Sequence, residues 1–501
     1  MDNSHQINRV LAREKGIYPP HLDNLPEKVL QFGTGILLRG LPDFLIHAAN
    51  EQGVFQGTIV QVKSTDTGSA DEFQTQDNLY HVWERGILDG ETVNNVKLVS
   101  SISRTLSAKT EWEAILKCAE SEHMQVVISN TTEIGLKFNP DSVFDAPPES
   151  FPAKLTSLLY HRYIQFKGDY SKGWIIIPCE LVSDNGKVLQ DLVFQVAKHN
   201  RLEKKFIDWL LHANTFCSSL VDRIVTGAVP QSLNQELLEK TNTVDKLAII
   251  AEPYLLWAIE ASEDTQAKLG WQHVHPNFVL TSCIGAFKER KLRLLNGAHT
   301  AYTALALLAG FHLVRESMQD KVMAKWVKQL MFQEIIPTLP MATLEAEQFT
   351  HAVLDRFKNP FVDHKLENIT LQYSNKIKNR NLETMKRHFD KFGKWPDLLC
   401  LGFAGYLLLL RGEETAAGVL VTLKNGHQFT VQDAQAVVVA KAWQQKQGNA
   451  KEVVQAVLQN RELWDFNLNE FHGLPERIHF WLDLLMKMPT AKVLKKSLGA
   501  L

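Results

Sequence analysis

The sequence predicts an α/β protein: a doubly wound parallel sheet in the first half, followed by a mainly α-helical second half. Three observations lead there. Short β-branched runs alternate with amphipathic segments through the first half, the pattern of parallel strands with helices on both faces. A Gly-x-Gly pair follows the first of these runs directly, as a Rossmann-type strand-to-helix turn requires. Beyond about residue 242 the apolar periodicity lengthens to helical size and convincing strands become few. At 501 residues the chain exceeds one ordinary core, so two domains are expected: residues 1–245 as a dinucleotide-binding Rossmann-type domain and 246–501 as a mainly helical substrate domain.

The strands expected in order are "KVLQF" at Lys28–Phe32, "TIVQVK" at Thr58–Lys63, "MQVVISN" at Met124–Asn130 and "GWIIIP" at Gly173–Pro178. Long helices are expected over Ala301–Val314, Lys321–Ile336 and Thr343–Phe357. The apolar run Leu398–Leu410 stops at Arg411, short of the ~18 residues that span a bilayer, and reads as a buried helix. In "AGVLVTLKNGHQFTV" an Asn-Gly pair between β-branched residues predicts a small hairpin. The basic tail "KVLKKSLGAL" reads as a last helix with a solvated face, and no repeat or heptad seam occurs.

With 54 basic and 56 acidic side chains the formal charge is −2, so no global field draws nucleic acid or an anionic membrane. The five cysteines are dispersed without a CxxC pair, which argues against a zinc site or a disulfide framework and suits a reducing, cytoplasmic location. The polar start "MDNSHQINRVLAREKGIYPP" has no apolar core of signal-peptide length.

The turn "FGTGILLRG" places Phe32, Gly33 and Gly35 where a backbone approaches a pyrophosphate. Leu38 occupies the position of the fingerprint's third glycine, with Gly40 two places later. After the second strand, Lys63, Ser64 and Asp66 compete for the adenosine ribose: Asp66 suits NAD, a lysine tolerates a 2′-phosphate, and a plain solvated loop suits both. The loop "SNTTEIG", with Thr132 and Glu133, falls where a doubly wound sheet brings a loop over the cofactor, and also fits an ordinary polar turn.

In "ERKLRLLNGAHT" three polar side chains sit among leucines: Lys291, Asn296 and His299. At ~100° per residue, a helix puts His299 roughly 80° and Asn296 roughly 140° from Lys291, so the three converge loosely on one site. Leu295 and Ala298 shelter the lysine, and a sheltered amine exchanges protons near neutral pH. A plainer reading makes "KERKLR" a solvated charge cluster, Asn296-Gly297 a turn and His299 a core histidine. Weighing against it is "IIIPCELVSDNG", an apolar strand that delivers Cys179, Glu180, Asp184 and Asn185 to its polar end.

Together "FGTGILLRG", "SNTTEIG", "PCELVSDNG", "FCSSLVDRIVTG", "AEPYLLWAIE", "KERKLRLLNGAHT" and "RFKNPFVDHKLENI" resemble the polyol-specific long-chain dehydrogenase family, in family order and over roughly residues 28–380. The nearest likeness is to the branch acting on keto sugar acids. The resemblance implies metal-independent hydride transfer with NAD in a cleft between the domains, and a monomer or weak dimer. In its K-x-x-x-x-N-x-x-H motif Lys291 is the general acid/base, Asn296 an alkoxide donor and His299 an orienting group. Asn185 is implied as a second alkoxide donor, with Asp222 and Lys376 as substrate contacts. One departure stands out: the family's arginine eight residues before that lysine is Asn368 here, and Arg356 or His364 are candidates to hold a carboxylate instead. The competing readings are a reductase of fructuronate, another keto sugar acid, or a polyol dehydrogenase of the same family, a silent NAD-binding sensor, and a zinc dehydrogenase, which the missing cysteine pairs disfavour.

Overall fold

The computed structural model describes residues 6–64, 71–131 and 135–499. The chain forms two compact units, Met1–Arg85 with Val93–Ile284, and Gly86–Thr92 with Gly285–Leu501.

The first unit is built on a six-stranded parallel sheet. Its strands are β1 (Glu27–Phe32), β2 (Thr58–Lys63), β5 (Ile102–Ser107), β6 (Val126–Ser129), β7 (Ile175–Pro178) and β8 (Thr215–Phe216), in the order β5-β2-β1-β6-β7-β8. The four strands expected from sequence are all present, and the order reverses at β1, where neighbouring connections run to opposite sides. That reversal opens the crevice in which doubly wound folds hold ligands. Period-two alternation sorts the side chains: Val29, Ile59, Ile128 and Ile177 enter one core, while Leu30, Phe32, Val60, Val127 and Ile176 enter the other. Helices α1 (Ile36–Gly40), α2 (Pro42–Glu51), α3 (Phe151–Gln165) and α4 (Asn185–His199) flank it.

The strand pairing carries this unit to Ile284 rather than to residue 245. A four-stranded sheet joins β10 (Val225–Ala228) and β11 (Ile249–Ala251) to the hairpin β3 (Tyr80–Leu88) and β4 (Glu91–Val99). A three-stranded sheet joins β9 (Ser219–Asp222) to β12 (Leu256–Glu260) and β13 (Phe278–Thr281). Apart from that hairpin, their strands are only three to five residues long, too short for a clear period, and most of their partners lie far away in sequence.

The second unit is mainly helical. Helix α6 (Asp397–Leu409) is buried along its length, from Leu398 to Leu409, as its apolar sequence predicts. It packs on α5 (Ala298–Leu308) and α7 (Leu474–Lys487). The approach to α5 is backbone-close: a Cβ on Gly402 would lie 2.6 Å from the Ala301 carbonyl oxygen, and one on Gly405 2.7 Å from a Leu305 methyl. The Asn-Gly hairpin is present as β15 (Gly418–Thr422) and β16 (Gln428–Val431), extended by β14 (Glu413–Thr415), with Gly426 at φ 85° in the turn. Among the described residues no helix is long and apolar enough to cross a membrane.

Candidate active site

At the end of β1, Gly33 has φ 123°, which only glycine adopts readily. A Cβ there would sit 2.9 Å from a Leu38 methyl and 3.2 Å from the Asn130 carbonyl oxygen. Gly35, which precedes α1, faces open space. The Phe32 ring is buried against Phe151, 5.1 Å between centroids, so this residue serves the turn through its backbone and the core through its side chain. The displaced glycine also has a reason. A Cβ on Gly40 would lie 2.7 Å from Val225, so Gly40 permits the close packing that the third glycine usually serves, while Leu38 fills the core.

A hollow of about 590 Å³ opens here, lined by Gly33, Gly35, Ser64, Asn130, Ser150 and Lys154 among others. These residues fit a dinucleotide: a glycine turn without side chains, a strand-end polar loop and a buried amine on one wall. Lys154 is 5% exposed and donates to the Glu149 carbonyl, and burial lowers its pKa. No spacing in the sequence marks this lysine, because it reaches the hollow from α3, which belongs to no nucleotide motif. Asp66, Thr132 and Glu133 lie outside the described residues. We expect Gly33→Ala to weaken NADH binding roughly five- to a hundredfold, because the turn must shift to relieve backbone strain of roughly 1–3 kcal/mol. A fluorescence titration on folded protein checks this, and an unchanged affinity would remove Gly33 from the cradle.

Glu180 shapes the neighbouring loop. Its buried carboxylate accepts from Thr131 N (2.9 Å), Thr131 Oγ1 (3.1 Å) and Ser129 Oγ (3.2 Å), and burial raises its pKa. Asn185, 1% exposed, is committed to backbone. Its Nδ2 donates to the carbonyls of Pro178 (3.0 Å), Glu180 (3.0 Å) and Ser219 (3.1 Å), and its Oδ1 accepts from Gly186 N and Ser219 N (both 2.9 Å). The amide therefore ties the end of β7 and the start of α4 to β9, and its donors are engaged there by backbone carbonyls. Gly186 is part of the same joint, since a Cβ there would be 2.5 Å from Ser218 N. Asp222 is buried at the end of β9, opposite Leu256 of β12.

In the second unit Lys291–Gly297 is a π-helical turn that continues into α5. Hydrogen bonds in a π turn run from i to i+5, so the turn brings Asn296 round to within roughly 50° of half-buried Lys291, instead of roughly 140° away as an α-helix would place it. Such turns recur at functional sites. A second π turn, Ile377–Leu382, braces the first. Asn381 Nδ2 donates to the Gly297 carbonyl (3.0 Å), and Arg293 Nη1 to those of Asn379 (3.0 Å) and Arg380 (3.1 Å). The "KERKLR" run is accordingly not a solvated cluster: Arg290 pairs with Glu345 at 2.9 Å and Arg293 with Glu289 at 3.0 Å, both arginines buried.

The His299 ring stacks on Phe357 (4.0 Å, 9° between planes) and meets His364 edge-on at 5.4 Å. Burial, then His364, Arg356, Arg380 and Lys376, hold its pKa well below the ordinary value, so the imidazole is neutral. Its Nε2 is buried with no hydrogen-bond partner among the described residues. An orphaned buried nitrogen is costly unless a ligand or a neighbouring group uses it. Lys376 Nζ donates to the Ile369 carbonyl at 2.8 Å, and burial, aided by Arg380, brings its pKa down to about 8. Asn368 is exposed and lines a separate hollow with Thr370, Phe429 and Gln432.

The mannitol dehydrogenase Rossmann domain matches residues 27–273, and the mannitol dehydrogenase C-terminal domain matches residues 284–485. The chain belongs to the mannitol dehydrogenase family. As a member it is a dehydrogenase acting on a CH–OH group. Altronate oxidoreductase of Bacillus subtilis (strain 168) is 35% identical over 485 residues, covering 96% of this chain and 97% of its own. Altronate oxidoreductase of Klebsiella pneumoniae (strain 342) is 37% identical over 468 residues, with 92% and 95% covered. Among solved structures, Pseudomonas fluorescens mannitol 2-dehydrogenase, in a ternary complex with NAD and D-mannitol, superposes with TM-score 0.68 at 20% identity, 99% of each chain being covered. A substrate-free D-sorbitol dehydrogenase gives TM-score 0.78 at 19% identity, with 98% of this chain and 100% of the other covered; both share the mannitol dehydrogenase family's fold.

Proposed function

We propose that the chain interconverts D-tagaturonate and D-altronate with NAD(H), Lys291 acting as general acid/base. The observation that supports the mechanism is the π turn, which brings Asn296 toward the face of Lys291, while His299, neutral and with Nε2 unpartnered among the described residues, follows on α5. The likeness to altronate oxidoreductases over more than nine-tenths of the chain supports the substrate.

NADH, when bound, supplies the hydride that reduces the keto carbon. Gly33, Gly35 and the loop that Glu180 supports would hold the dinucleotide. As negative charge grows on the carbonyl oxygen, the Asn296 amide donates to it and the Lys291 ammonium delivers the proton. His299 Nε2 orients the lysine or a substrate hydroxyl. In oxidation the same lysine, as free amine, accepts the hydroxyl proton. Asp222 and Lys376 are proposed substrate contacts, and the expected donation from Asn185 is replaced by its bracing of the strand ends.

The decisive assay offers tagaturonate, fructuronate and fructose in parallel to chelator-treated protein with NADH. Preference for tagaturonate is expected; preference for fructuronate or fructose would reassign the substrate, and no turnover would reopen the sensor reading.

A pH dependence follows from Lys376. Its pKa near 8 means that it is cationic below pH 8 and neutral above. An anionic substrate is therefore held better below that pH, and KM for tagaturonate should rise as pH passes 8. Lys376→Met should raise KM at pH 7 and erase this inflection. A profile that survives the substitution would move the titration to another group.

A further inference from the structure

Resting on the sugar-acid reading, we propose that Arg380 is a specificity-determining residue that receives the substrate's carboxylate, with Lys376 as its neighbouring cation. Nothing in the sequence marked it. It lies four residues past Lys376, inside the second π turn, and its Nη1 donates to Thr300 Oγ1 at 3.2 Å, the residue after His299. Since that turn is bound to the first through Gly297 and Arg293, the Arg380 guanidinium is fixed relative to the strip bearing Lys291, Asn296 and His299.

The charge pattern around Arg380 is unlike its surroundings. Lys378 pairs with Asp465 (2.6 Å), Arg387 with Glu289 (2.5 Å) and Glu383 (2.9 Å), and Arg293 with Glu289 (3.0 Å). Among the described residues neither Arg380 nor Lys376 has an acidic group within ion-pair distance. Asp433, the one carboxylate felt by Lys376, is buried and occupied by backbone: Oδ2 accepts from Ser374 N (2.6 Å) and Oδ1 from Gln435 N (2.9 Å). His364 lies 5.4 Å from His299, and both imidazoles are driven toward neutrality by burial and by cations of this group.

Two half-buried cations without acidic partners, beside two imidazoles, form a positive patch that a fixed anion would complete. Arginine suits a carboxylate in particular, because its planar fork meets both oxygens at once. Among the described residues one of its five donors is engaged, at Thr300. An uncharged polyol offers nothing to match it.

The test is the ratio of kcat/KM for tagaturonate to kcat/KM for D-tagatose, the ketose bearing a hydroxymethyl group in place of the carboxylate. Arg380→Gln should lower this ratio about 30-fold, chiefly through KM for the acid. Arg380→Lys should recover part of it. A parallel loss with both substrates would show a structural role and overturn the proposal, as would an unchanged ratio. Should the wild-type protein reduce neither ketose, calorimetric titration with D-altronate decides instead. Binding to wild type but at least tenfold weaker binding to Arg380→Gln keeps Arg380 as the carboxylate reader even though the tagaturonate reaction is lost. Equal binding to both proteins, or binding to neither, overturns it.

Discussion

Replacing Lys291 with alanine is expected to lower kcat about a thousandfold or more while NADH affinity stays within about twofold. General acid/base groups commonly contribute 10²–10⁴ in rate, so about 4 kcal/mol of transition-state stabilisation is at stake. The loss should fall on kcat rather than KM, because the proton moves only as the alkoxide forms. Lys291→Arg should not rescue turnover, since a guanidinium does not give up its proton near neutral pH. Asn296→Ala should cost less, about tenfold to a hundredfold, because one hydrogen bond to the developing alkoxide is lost while proton transfer survives. Single-turnover measurements with saturating NADH separate these effects from product release. A Lys291→Ala enzyme keeping more than a tenth of wild-type kcat would end the assignment.

The second large effect is on folding. Asn185→Ala should destabilise the first unit by about 3–5 kcal/mol, because a buried polar group left unsatisfied costs about 1–3 kcal/mol and this amide serves three carbonyls and two N–H groups, some of which can find new partners. Asn185→Asp should fare little better, since a carboxylate faces the three carbonyl oxygens with no N–H to offer. Urea unfolding followed by a probe in the first unit, with NADH absent, reads this directly. Unchanged stability accompanied by a fall in kcat alone would restore the alkoxide-donor role and refute the brace.

Asn185 shows where sequence reasoning stops. The Asn-Gly pair after an apolar strand was visible as a functional-looking joint, and the family likeness supplied a chemical role for it. Which atoms the amide meets depends on Ser219, 34 residues away, and on the strand it begins. Arg380 differs: a basic residue in "KIKNR" has no local mark, and the role proposed for it arises because Lys378, Arg387 and Arg293 pair with carboxylates while, among the described residues, Arg380 and Lys376 do not.

The parallel strands, the helical second half, the buried helix at Leu398, the hairpin at Asn425-Gly426 and the glycine turn after β1 were legible in the sequence, because period, propensity and turn chemistry are local properties. The short strands β11 to β13 were not, since three to five residues carry no clear period and are strands only by virtue of distant partners. The residue types proposed for the chemistry, Lys291, Asn296 and His299, are readable in one short run because they are local. Their phase around the helix is not local and came from the fold. An α-helix would have left the asparagine on another face, and a π turn is unfavourable in isolation; here the Asn381 and Arg293 bonds from a segment more than eighty residues away offset that cost and align it with the lysine.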